Sequence, residues 1–278
     1  PRRLSVTEIE TWFRDPYAIF ARHVLKLRPL DDLGKLPGPA ERGVLVHAAL
    51  QAFAERWPDR LPPDICGELL NCGRAVFADW MSYPDVAGFW WPQFCKMAQW
   101  FATQEATLRE GVQRQFVELR GRMELEGPFG PFELIGRADR FDLFEDGDVR
   151  IVDYKTGTLP SSDQEKAGFS PQLPLEAAMV ERGGFEALGP RQVRKLTYIR
   201  LTGGNPPGEL RDREAERDKI DGCYDGLLQL IAQYDDESRP YLPRVRLQTE
   251  DATTDYDHLS RFSEWQALAA ASVREDQK

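Results

Sequence analysis

Two aspartates and a lysine lie close together in the segment GRADRFDLFEDGDVRIVDYKTG, residues 136–157. Apolar residues alternate with polar ones on both sides of a central Asp-Gly turn, which predicts a β-hairpin. A three-residue loop places Asp139 opposite Asp153, whereas a two-residue loop turns these carboxylates to opposite faces. The apolar residues favour the three-residue loop, because Phe141 then pairs with Ile151. Like charges at opposed positions repel each other, so the pair indicates a bound cation.

Carboxylate oxygens in this arrangement suit Mg²⁺, with Mn²⁺ as a possible substitute, because both ions prefer carboxylates, waters and phosphates as ligands. Lys155 lies two residues after Asp153 and therefore projects from the same face of the strand. From there it could orient an attacking water or help to deprotonate it. The alternative is a salt bridge between Lys155 and Asp153 at the edge of a sheet, without a metal ion.

Two further side chains could complete such a site. His47 lies near the start of a predicted helix and is a candidate third ligand, although a lone histidine is more often packed near a core. His23 and His258 are the other histidines of the chain. Gln172 opens a predicted helix soon after the hairpin, so the first turn of that helix could bring its amide toward the carboxylates.

The elements that must hold these side chains are visible in the period of the apolar residues. Helical spacing predominates in residues 1–115, with two short helices interrupted at Asp15-Pro16 and a longer helix that begins near Gly43. In residues 116–203 the period changes to two, which predicts a meander of three strands, then a helix and a further strand.

Residues 204–278 are predicted to form mainly helix and tail, with a long helix from Arg211 to Asp236 and a short one from Phe262 to Ala271. The order of helices, three strands, helix, strand and helix indicates one α/β domain with a mixed sheet. The sequence starts at Pro1 without a methionine, so we expect a domain excised from a longer chain.

The formal net charge of −10 argues against non-specific adhesion to nucleic acid through the whole surface. Two local basic grooves remain candidates, with ordinary solvated faces as the alternative. The first comprises Arg14, Arg22, His23, Lys26 and Arg28, and the second comprises Arg191, Arg194 and Lys195.

The cysteines have no CxxC spacing, which argues against a zinc ribbon or a disulfide framework and favours free thiols in a reducing compartment. No apolar run is long enough for a membrane span, and the opening PRRLSVTEIE lacks the apolar core of a signal peptide. We therefore expect a cytoplasmic protein with no membrane partner.

Four ordered motifs carry a resemblance to known nucleases: RGVLVH at 42–47, GRADRFD at 136–142, VDYKTG at 152–157 and PQLPLEAA at 171–178. They resemble the RecB-type branch of the PD-(D/E)XK superfamily. Within that branch the chain is most similar to the C-terminal nuclease domains of the AddB family, the helicase-nuclease subunits of bacterial double-strand break repair. The resemblance implies a single domain over nearly the whole chain, 1–278, with a restriction-endonuclease-like core: a mixed central β-sheet flanked by helices, with an N-terminal helical region.

The resemblance also implies roles for individual residues. The metal ion would be bound by His47, Asp139, Asp153 and the carbonyl of Tyr154. The catalytic residues would be Asp139, Asp153, Lys155, as the catalytic lysine, and Gln172, as the glutamine of the motif that follows the core.

Two departures from the family pattern change what we expect. Glu176 stands where the family usually has a tyrosine, which puts DNA or metal contacts from that helix in doubt. Many relatives also carry an iron–sulfur cluster, but here Asp15 stands at the position of its first cysteine and the tail contains no cysteine. We therefore predict no iron–sulfur cluster, with ordinary packing of the tail against the N-terminal helices in its place.

The leading hypothesis is a Mg²⁺-dependent deoxyribonuclease domain that hydrolyses single-stranded DNA. The implied partners are DNA, an AddA-type helicase-nuclease subunit and the rest of a parent AddB chain. The alternative is a catalytically inactive nuclease fold that binds DNA or a partner subunit. A phosphoesterase for small molecules is disfavoured, because no glycine-rich phosphate loop is present.

Overall fold

A mixed β-sheet runs through the computed structural model, which describes residues 1–30, 36–161, 170–245, 254–262 and 264–265. Its strands, among the described residues, are β1 (Arg3–Ser5), β2 (Val112–Gly127), β3 (Gly130–Phe144), β4 (Val149–Lys155), β5 (Val193–Leu201) and β6 (Gly208–Glu214). The β1–β3 and β4–β5 pairs are parallel and the others are antiparallel. The predicted mixed sheet is therefore confirmed.

The long strand β3 organises the sheet. β2 pairs with it along its whole length, β1 pairs with it at Glu133–Ile135, and β4 pairs with it at Arg140–Leu143. Because β2 occupies one edge of β3, β1 and β4 share the other edge and are followed outward by β5 and β6. This arrangement puts the predicted site where β4 leaves β3.

The helices of the described residues cover both faces of this sheet. They are α1 (Val6–Arg14), α2 (Pro16–Ile19), α3 (Pro39–Arg56), α4 (Ile65–Phe77), α5 (Trp91–Leu108), α6 (Gln172–Glu181), α7 (Arg217–Asp235) and α8 (Asp257–Ser260). Short π-helical segments at Phe20–Val24 and Val86–Trp90 and a 3₁₀ turn at Ala78–Trp80 adjoin them.

Alternate residues of β4 pack into the apolar cores on the two sides of the sheet. Ile151 belongs to an apolar core shared with α1, α6 and α7, whereas Val152 belongs to a second core shared with α3, α4 and α5. This alternation follows from the two-residue period of a strand. The strand is consequently buried on both faces, and its charged residues meet helices from both layers.

The turn between β3 and β4 has the predicted three-residue loop. The N–H of Phe144 donates to the carbonyl of Asp148 over 2.9 Å, and Gly147 has a φ of 92°. This left-handed backbone favours glycine, because a Cβ atom would be strained there. Phe141 pairs with Ile151, so the register chosen from the apolar residues is confirmed.

Several predicted element boundaries were wrong. The long helix predicted from Arg211 begins only at Arg217, because residues 208–214 form the edge strand β6. Its charged side chains hid the strand pattern, as is common at exposed sheet edges. β2 begins at Val112, four residues before the predicted change of period at Phe116.

The N-terminal boundaries also differ from the prediction. The three residues of β1 are too few to show a period, so the sequence pattern predicts only helices in this region and misses the strand. Helix α3 begins at Pro39 rather than near Gly43, because the Glu41 carboxylate accepts a hydrogen bond from the Gly38 N–H over 2.8 Å. The short helix predicted from Phe262 to Ala271 lies mostly outside the described residues.

The tail packs against the N-terminal helices. Asp15 interrupts the first two helices as predicted, and its carboxylate accepts hydrogen bonds from the N–H groups of Ala18 and Arg244, each over 3.3 Å. The hydroxyl of Tyr256 donates to the carbonyl of Leu27 over 3.0 Å. Hydrogen bonds therefore join the tail to the N-terminal helices around Asp15. The absence of an iron–sulfur cluster stays a prediction. Iron analysis of anaerobically purified protein would test it.

Two global expectations can be compared with the described residues. The four cysteines, Cys66, Cys72, Cys95 and Cys223, are free thiols. Within the described ranges, no helix combines the length and the apolar character that a membrane crossing requires.

Candidate active site

The two carboxylates lie where β3 and β4 separate. The pairing predicted between Asp139 and Asp153 is not part of the ladder, which ends one residue earlier at Arg140 and Val152. Instead, the Asp139 carboxylate accepts a hydrogen bond from the N–H of Tyr154 over 2.8 Å. A side chain thus takes the place of a strand carbonyl, which opens the sheet at this point.

A lysine and a glutamine bind the second carboxylate. The ammonium of Lys155 lies 3.0 Å from Oδ1 and 2.9 Å from Oδ2 of Asp153. Gln172, the first residue of α6, donates its amide to Asp153 Oδ1 over 2.8 Å and accepts from Lys155 over 3.1 Å. The structure therefore brings these three predicted residues together in one hydrogen-bonded triangle.

His47 approaches the site from the opposite layer. Its Nδ1 lies 3.5 Å from Asp139 Oδ1, and its ring meets the ring of Tyr154 edge-on with 6.0 Å between centroids. Gly43, one turn earlier on α3, lets the helix approach closely, since a Cβ there would lie 3.1 Å from Thr156 Oγ1. A cleft of about 430 Å³ opens beside His47 and Asp139, between α3, the middle of β2 and β3, and Thr156 just after β4.

Burial and like charges alter the protonation of the acidic residues. Burial, together with the negative charge of Asp139, raises the pKa of Asp153 to about 6 although Lys155 opposes the shift. Burial and the charge of Asp153 raise the pKa of Glu176 well above its usual range. Both effects favour the neutral, protonated form of Glu176, and the Gln172 amide donates to its carboxyl group over 3.4 Å.

The pKa values of the basic groups are also raised, because neighbouring carboxylates outweigh burial. Burial lowers the pKa of Lys155, but the adjacent Asp153 carboxylate outweighs burial and leaves this pKa above its usual value. Burial likewise opposes ionisation of His47, and its contact with Asp139 raises the pKa on balance. Lys155 is therefore an ammonium at neutral pH, which can donate hydrogen bonds but cannot accept a proton.

The donor set fits a divalent cation. Asp139 and Asp153 supply carboxylate oxygens and His47 an imidazole nitrogen, which are usual ligands of such ions. Asp153 Oδ2 is buried and has no hydrogen bond, although it lies 2.9 Å from Lys155 Nζ as an ion pair. The Lys155 ammonium does not fully offset the burial of this carboxylate, whose pKa stays raised, so a second cation would stabilise its ionised form further.

The structure does not assemble all predicted metal ligands around one point. Within the described ranges, no three His, Cys, Asp or Glu side chains are close enough together to hold a metal ion. His47 converges with Asp139, whereas Asp153 is engaged by Lys155 and Gln172 on the other side. The roles of these residues, including that of the Tyr154 carbonyl, stay predictions.

Glu10 belongs to the surroundings of the site and was not predicted. It lies on α1 and forms an ion pair with Arg14 over 2.9 Å. Burial raises its pKa, and the positive charges of Arg14 and Lys155 counter that shift, so Glu10 lies within electrostatic reach of Lys155.

A second charged cluster, also missed, lies behind the hairpin. The Arg140 guanidinium donates to both oxygens of Asp142, over 2.6 and 3.0 Å, and to Glu105 over 2.7 Å, and all three side chains are buried. Arg150 adds a second guanidinium to Asp142 at 2.9 Å. The predicted register contained the signal for this pair, because it places Asp142 opposite Arg150.

This buried cluster touches the candidate site at one residue. Arg140 also donates to the hydroxyl of Tyr154 over 3.2 Å. The N–H of Tyr154 holds Asp139, and its ring meets His47. Tyr154 therefore connects the structural charges with the carboxylate and the imidazole of the site.

Comparison with known proteins places this geometry in context. An uncharacterized protein of Rickettsia bellii is 26% identical over 247 residues, which cover 84% of this chain and 30% of that protein. One of Rickettsia conorii is 28% identical over 189 residues, covering 66% of this chain and 23% of that protein. The chain thus spans less than a third of the length of these relatives.

Among solved structures, the crystal structure of SSO0001 matches with a TM-score of 0.37 and 13% identity, over 82% of this chain and 76% of that one. The sequence profile of the PD-(D/E)XK nuclease superfamily matches residues 3–247, which include the candidate site. The chain therefore belongs to the PD-(D/E)XK nuclease superfamily.

Proposed function

We propose that this domain hydrolyses phosphodiester bonds of single-stranded DNA with the help of Mg²⁺, which Mn²⁺ can replace. The observation that carries the proposal is the position of Lys155. Its ammonium lies against Asp153 at the point where β3 and β4 separate. The next residue, Thr156, lines the cleft together with His47 and Asp139. Superfamily membership supports nuclease chemistry in general, and DNA as the substrate is our finer assignment.

The residues that would hold the ion are His47, Asp139 and Asp153, with the Tyr154 carbonyl as a fourth ligand. When bound, a divalent cation offsets the negative charge that develops on the phosphate during hydrolysis. The site would favour a positive ion, because burial and neighbouring carboxylates raise the pKa values of both Asp153 and Glu176. Binding of a cation should therefore leave Asp153 ionised.

Lys155 acts by donating. As an ammonium it can hold the attacking water in line with the phosphorus atom or hydrogen bond to a non-bridging phosphate oxygen. In the reaction, the bond from the water oxygen to phosphorus forms, the bond to the leaving oxygen breaks, the water loses a proton and the leaving oxygen gains one. The raised pKa of Lys155 argues that another group accepts the proton from water.

Gln172 and Tyr154 act as positioning residues in this scheme. Gln172 accepts from Lys155 and donates to Asp153, which fixes the ammonium relative to the carboxylate. The N–H of Tyr154 fixes Asp139 in the same way from the main chain. A main-chain donor at this point ties the orientation of one carboxylate to the register of the hairpin.

We further propose that the domain is part of an AddB-type chain that works with an AddA-type helicase-nuclease subunit in cytoplasmic double-strand break repair. This assignment rests on the resemblance of the four motifs, and the longer relatives are compatible with a domain in a larger chain. It predicts that the isolated domain cleaves single strands, whereas digestion of linear duplex DNA requires ATP and the assembled complex.

The direct test is cleavage of labelled single-stranded and duplex DNA with Mg²⁺, with Mn²⁺ and with EDTA. Lys155→Ala should lower the rate by about 10²- to 10³-fold, the usual range for loss of one hydrogen-bond donor that stabilises the transition state. Lys195→Ala is the matched control, because Lys195 is also ion-paired on a central strand but meets Asp212 near the hairpin turn. Unchanged cleavage by Lys155→Ala would refute the role given to this lysine.

A catalytically inactive scaffold is the second candidate, and one observation favours it: Lys155 and Gln172 already occupy the Asp153 carboxylate. Such a scaffold would bind single-stranded DNA with an affinity indifferent to divalent cations. It would also show no cleavage with either ion under any condition in which the protein is folded. Metal-dependent cleavage that Asp153→Ala abolishes would exclude it.

A further inference from the structure

A pocket lined by cations lies at the end of the N-terminal helices, outside the candidate active site. It measures about 630 Å³ and is lined by Arg22, His23, Lys26, Arg28, Pro29 and Tyr256. Four of these six residues are basic, in a chain of formal net charge −10. The pocket coincides with most of the first basic groove indicated by the sequence.

The backbone holds this cluster in place. The π-helical segment Phe20–Val24 ends in a reverse turn, where the N–H of Leu27 donates to the carbonyl of Ala21 over 2.9 Å. Lys26 has a φ of 58° in that turn, a left-handed conformation that is strained for a residue other than glycine. The Tyr256 hydroxyl fastens the same turn through the carbonyl of Leu27.

The positive charges of the pocket are only partly neutralised. Glu8 accepts from His23 over 2.8 Å and lies 3.9 Å from Arg22. Lys26 and Arg28 make no ion pair or hydrogen bond with any residue in the described ranges of the chain. The Lys26 ammonium and the Arg28 guanidinium, which have no counter-charge within the described ranges, match a phosphate, because a phosphate accepts several hydrogen bonds at once.

The start of helix α1 joins this pocket to the sheet that carries the active site. Glu8 accepts a hydrogen bond from His23 at the pocket and another from the N–H of Ser5. Ser5 pairs with Ile135 on β3, which precedes Asp139 by about 13 Å along the strand. One short nucleic-acid segment is therefore long enough to reach both places. An extended strand whose scissile phosphate lies at Lys155 would carry neighbouring phosphates toward Lys26 and Arg28.

We propose that this pocket is a phosphate subsite that binds the backbone of the single-stranded substrate away from the scissile bond. The inference rests on the proposed function for the identity of the strand. Inorganic phosphate and nucleotides share the same chemistry, so the test must distinguish them from a polymer. The second basic cluster does not qualify, because Arg194 is paired with Asp146 and Lys195 with Asp212, at 2.9 and 3.2 Å.

The test measures binding of a fluorescent single-stranded oligonucleotide in EDTA by anisotropy, at several salt concentrations. The variant is Lys26→Gly with Arg28→Gln, and the matched control is Arg194→Gln with Lys195→Gln. Glycine is chosen at position 26 because it adopts the left-handed backbone without strain. Melting temperatures of both variants accompany the measurement.

Loss of two phosphate contacts should weaken binding of all sequences alike and reduce the slope of log K against log salt by about 1.4. The control should leave affinity and slope unchanged. Equal affinities and slopes for parent and pocket variant would overturn the proposal, as would equal losses in variant and control. Full displacement of the oligonucleotide by millimolar inorganic phosphate would also overturn it, since the pocket would then be a site for free phosphate.

The outcome is independent of catalysis, because EDTA prevents metal-dependent cleavage. A protein that binds single strands through the pocket but never cleaves DNA would refute the proposed activity and leave the pocket standing. A protein that cleaves DNA with Mg²⁺ but binds equally well without Lys26 and Arg28 would refute the phosphate subsite and leave the proposed activity standing.

Discussion

The hairpin of β3 and β4 carries two charged clusters that are built differently from similar residue types. In the cluster behind the strands, Asp142 and Glu105 meet the guanidinium groups of Arg140 and Arg150. In the candidate site, Asp139, Asp153 and Glu176 share one ammonium and one imidazole. The first cluster is internally balanced, whereas the second has an excess of acidic groups.

The pKa values of the acidic residues differ between the two clusters in opposite directions. Burial alone would raise the pKa of Asp142, but Arg140 and Arg150 reverse the effect and hold it below its usual value. Burial raises the pKa of Asp153 to about 6, and Lys155 does not compensate for it. One cluster is therefore complete as a structural element, while in the other the ionised form of Asp153 would be favoured further by an added cation.

The largest effect should come from breaking the balanced cluster. Arg140→Met leaves Asp142 and Glu105 with fewer partners in a buried environment, and removal of one member of a buried ion pair typically costs about 3–5 kcal/mol. Denaturant unfolding of the variant measures this loss. Arg137→Met on the same strand is the control, because the exposed pair of Arg137 with Glu118 should contribute at most about 1 kcal/mol. Equal losses in the two variants would contradict the distinction.

Divalent cations should complete the unbalanced cluster. Mg²⁺ or Mn²⁺ at a hundredfold excess over its dissociation constant should stabilise the fold by about 2.7 kcal/mol, if it binds only the folded state. Asp139→Asn should reduce this gain, whereas Asp146→Asn at the exposed turn should not. Thermal melting with each ion and with EDTA measures both. A parent protein whose melting temperature neither ion moves would contradict a metal site.

Neutralising Asp153 should stabilise the protein, by less than Arg140→Met destabilises it. Because its folded pKa of about 6 exceeds the unfolded value, the folded state binds the extra proton between these values. The stability that this proton contributes is present at acid pH and is lost as pH rises through about 6. In EDTA at pH 7, Asp153→Asn should therefore be more stable than the parent, by roughly 1 to 3 kcal/mol.

The matched variant for this prediction is Asp142→Asn. The lowered pKa of Asp142 contributes stability above its unfolded pKa, and that stability is lost as pH falls through the folded value. Asp142→Asn should therefore destabilise the protein at pH 7, and the two unfolding curves should move in opposite directions. Two losses of similar size would show that both carboxylates are structural.

The smallest effect should come from cutting the link between the clusters. Tyr154→Phe removes the hydroxyl that accepts from Arg140 but keeps the ring against His47 and the N–H to Asp139. We expect a loss of about 0.5–1.5 kcal/mol of stability, the net worth of one hydrogen bond, and near-parental cleavage. A large loss of cleavage with intact stability would instead give the hydroxyl a role in the site.

Local pattern was sufficient for much of the fold. The three-residue turn, the register of Phe141 with Ile151 and the interruption at Asp15 follow from residue type and short spacing, since turn chemistry and side-chain alternation act over a few residues. The edge strand β6 was missed because its charged residues show no apolar alternation. Such a strand forms because it pairs with its neighbour β5, and this pairing is not visible in the residue pattern of β6 itself.

The candidate site divides in the same way. By itself, the sequence determined that Asp139, Asp153 and Lys155 belong to one hairpin, because their spacing and the turn leave a single favourable register. Only the tertiary structure decided that Gln172 bridges Asp153 and Lys155, that Glu176 is buried beside them and that Glu105 neutralises Arg140. Those contacts join separate elements, and their geometry depends on how helices from two layers pack against the sheet.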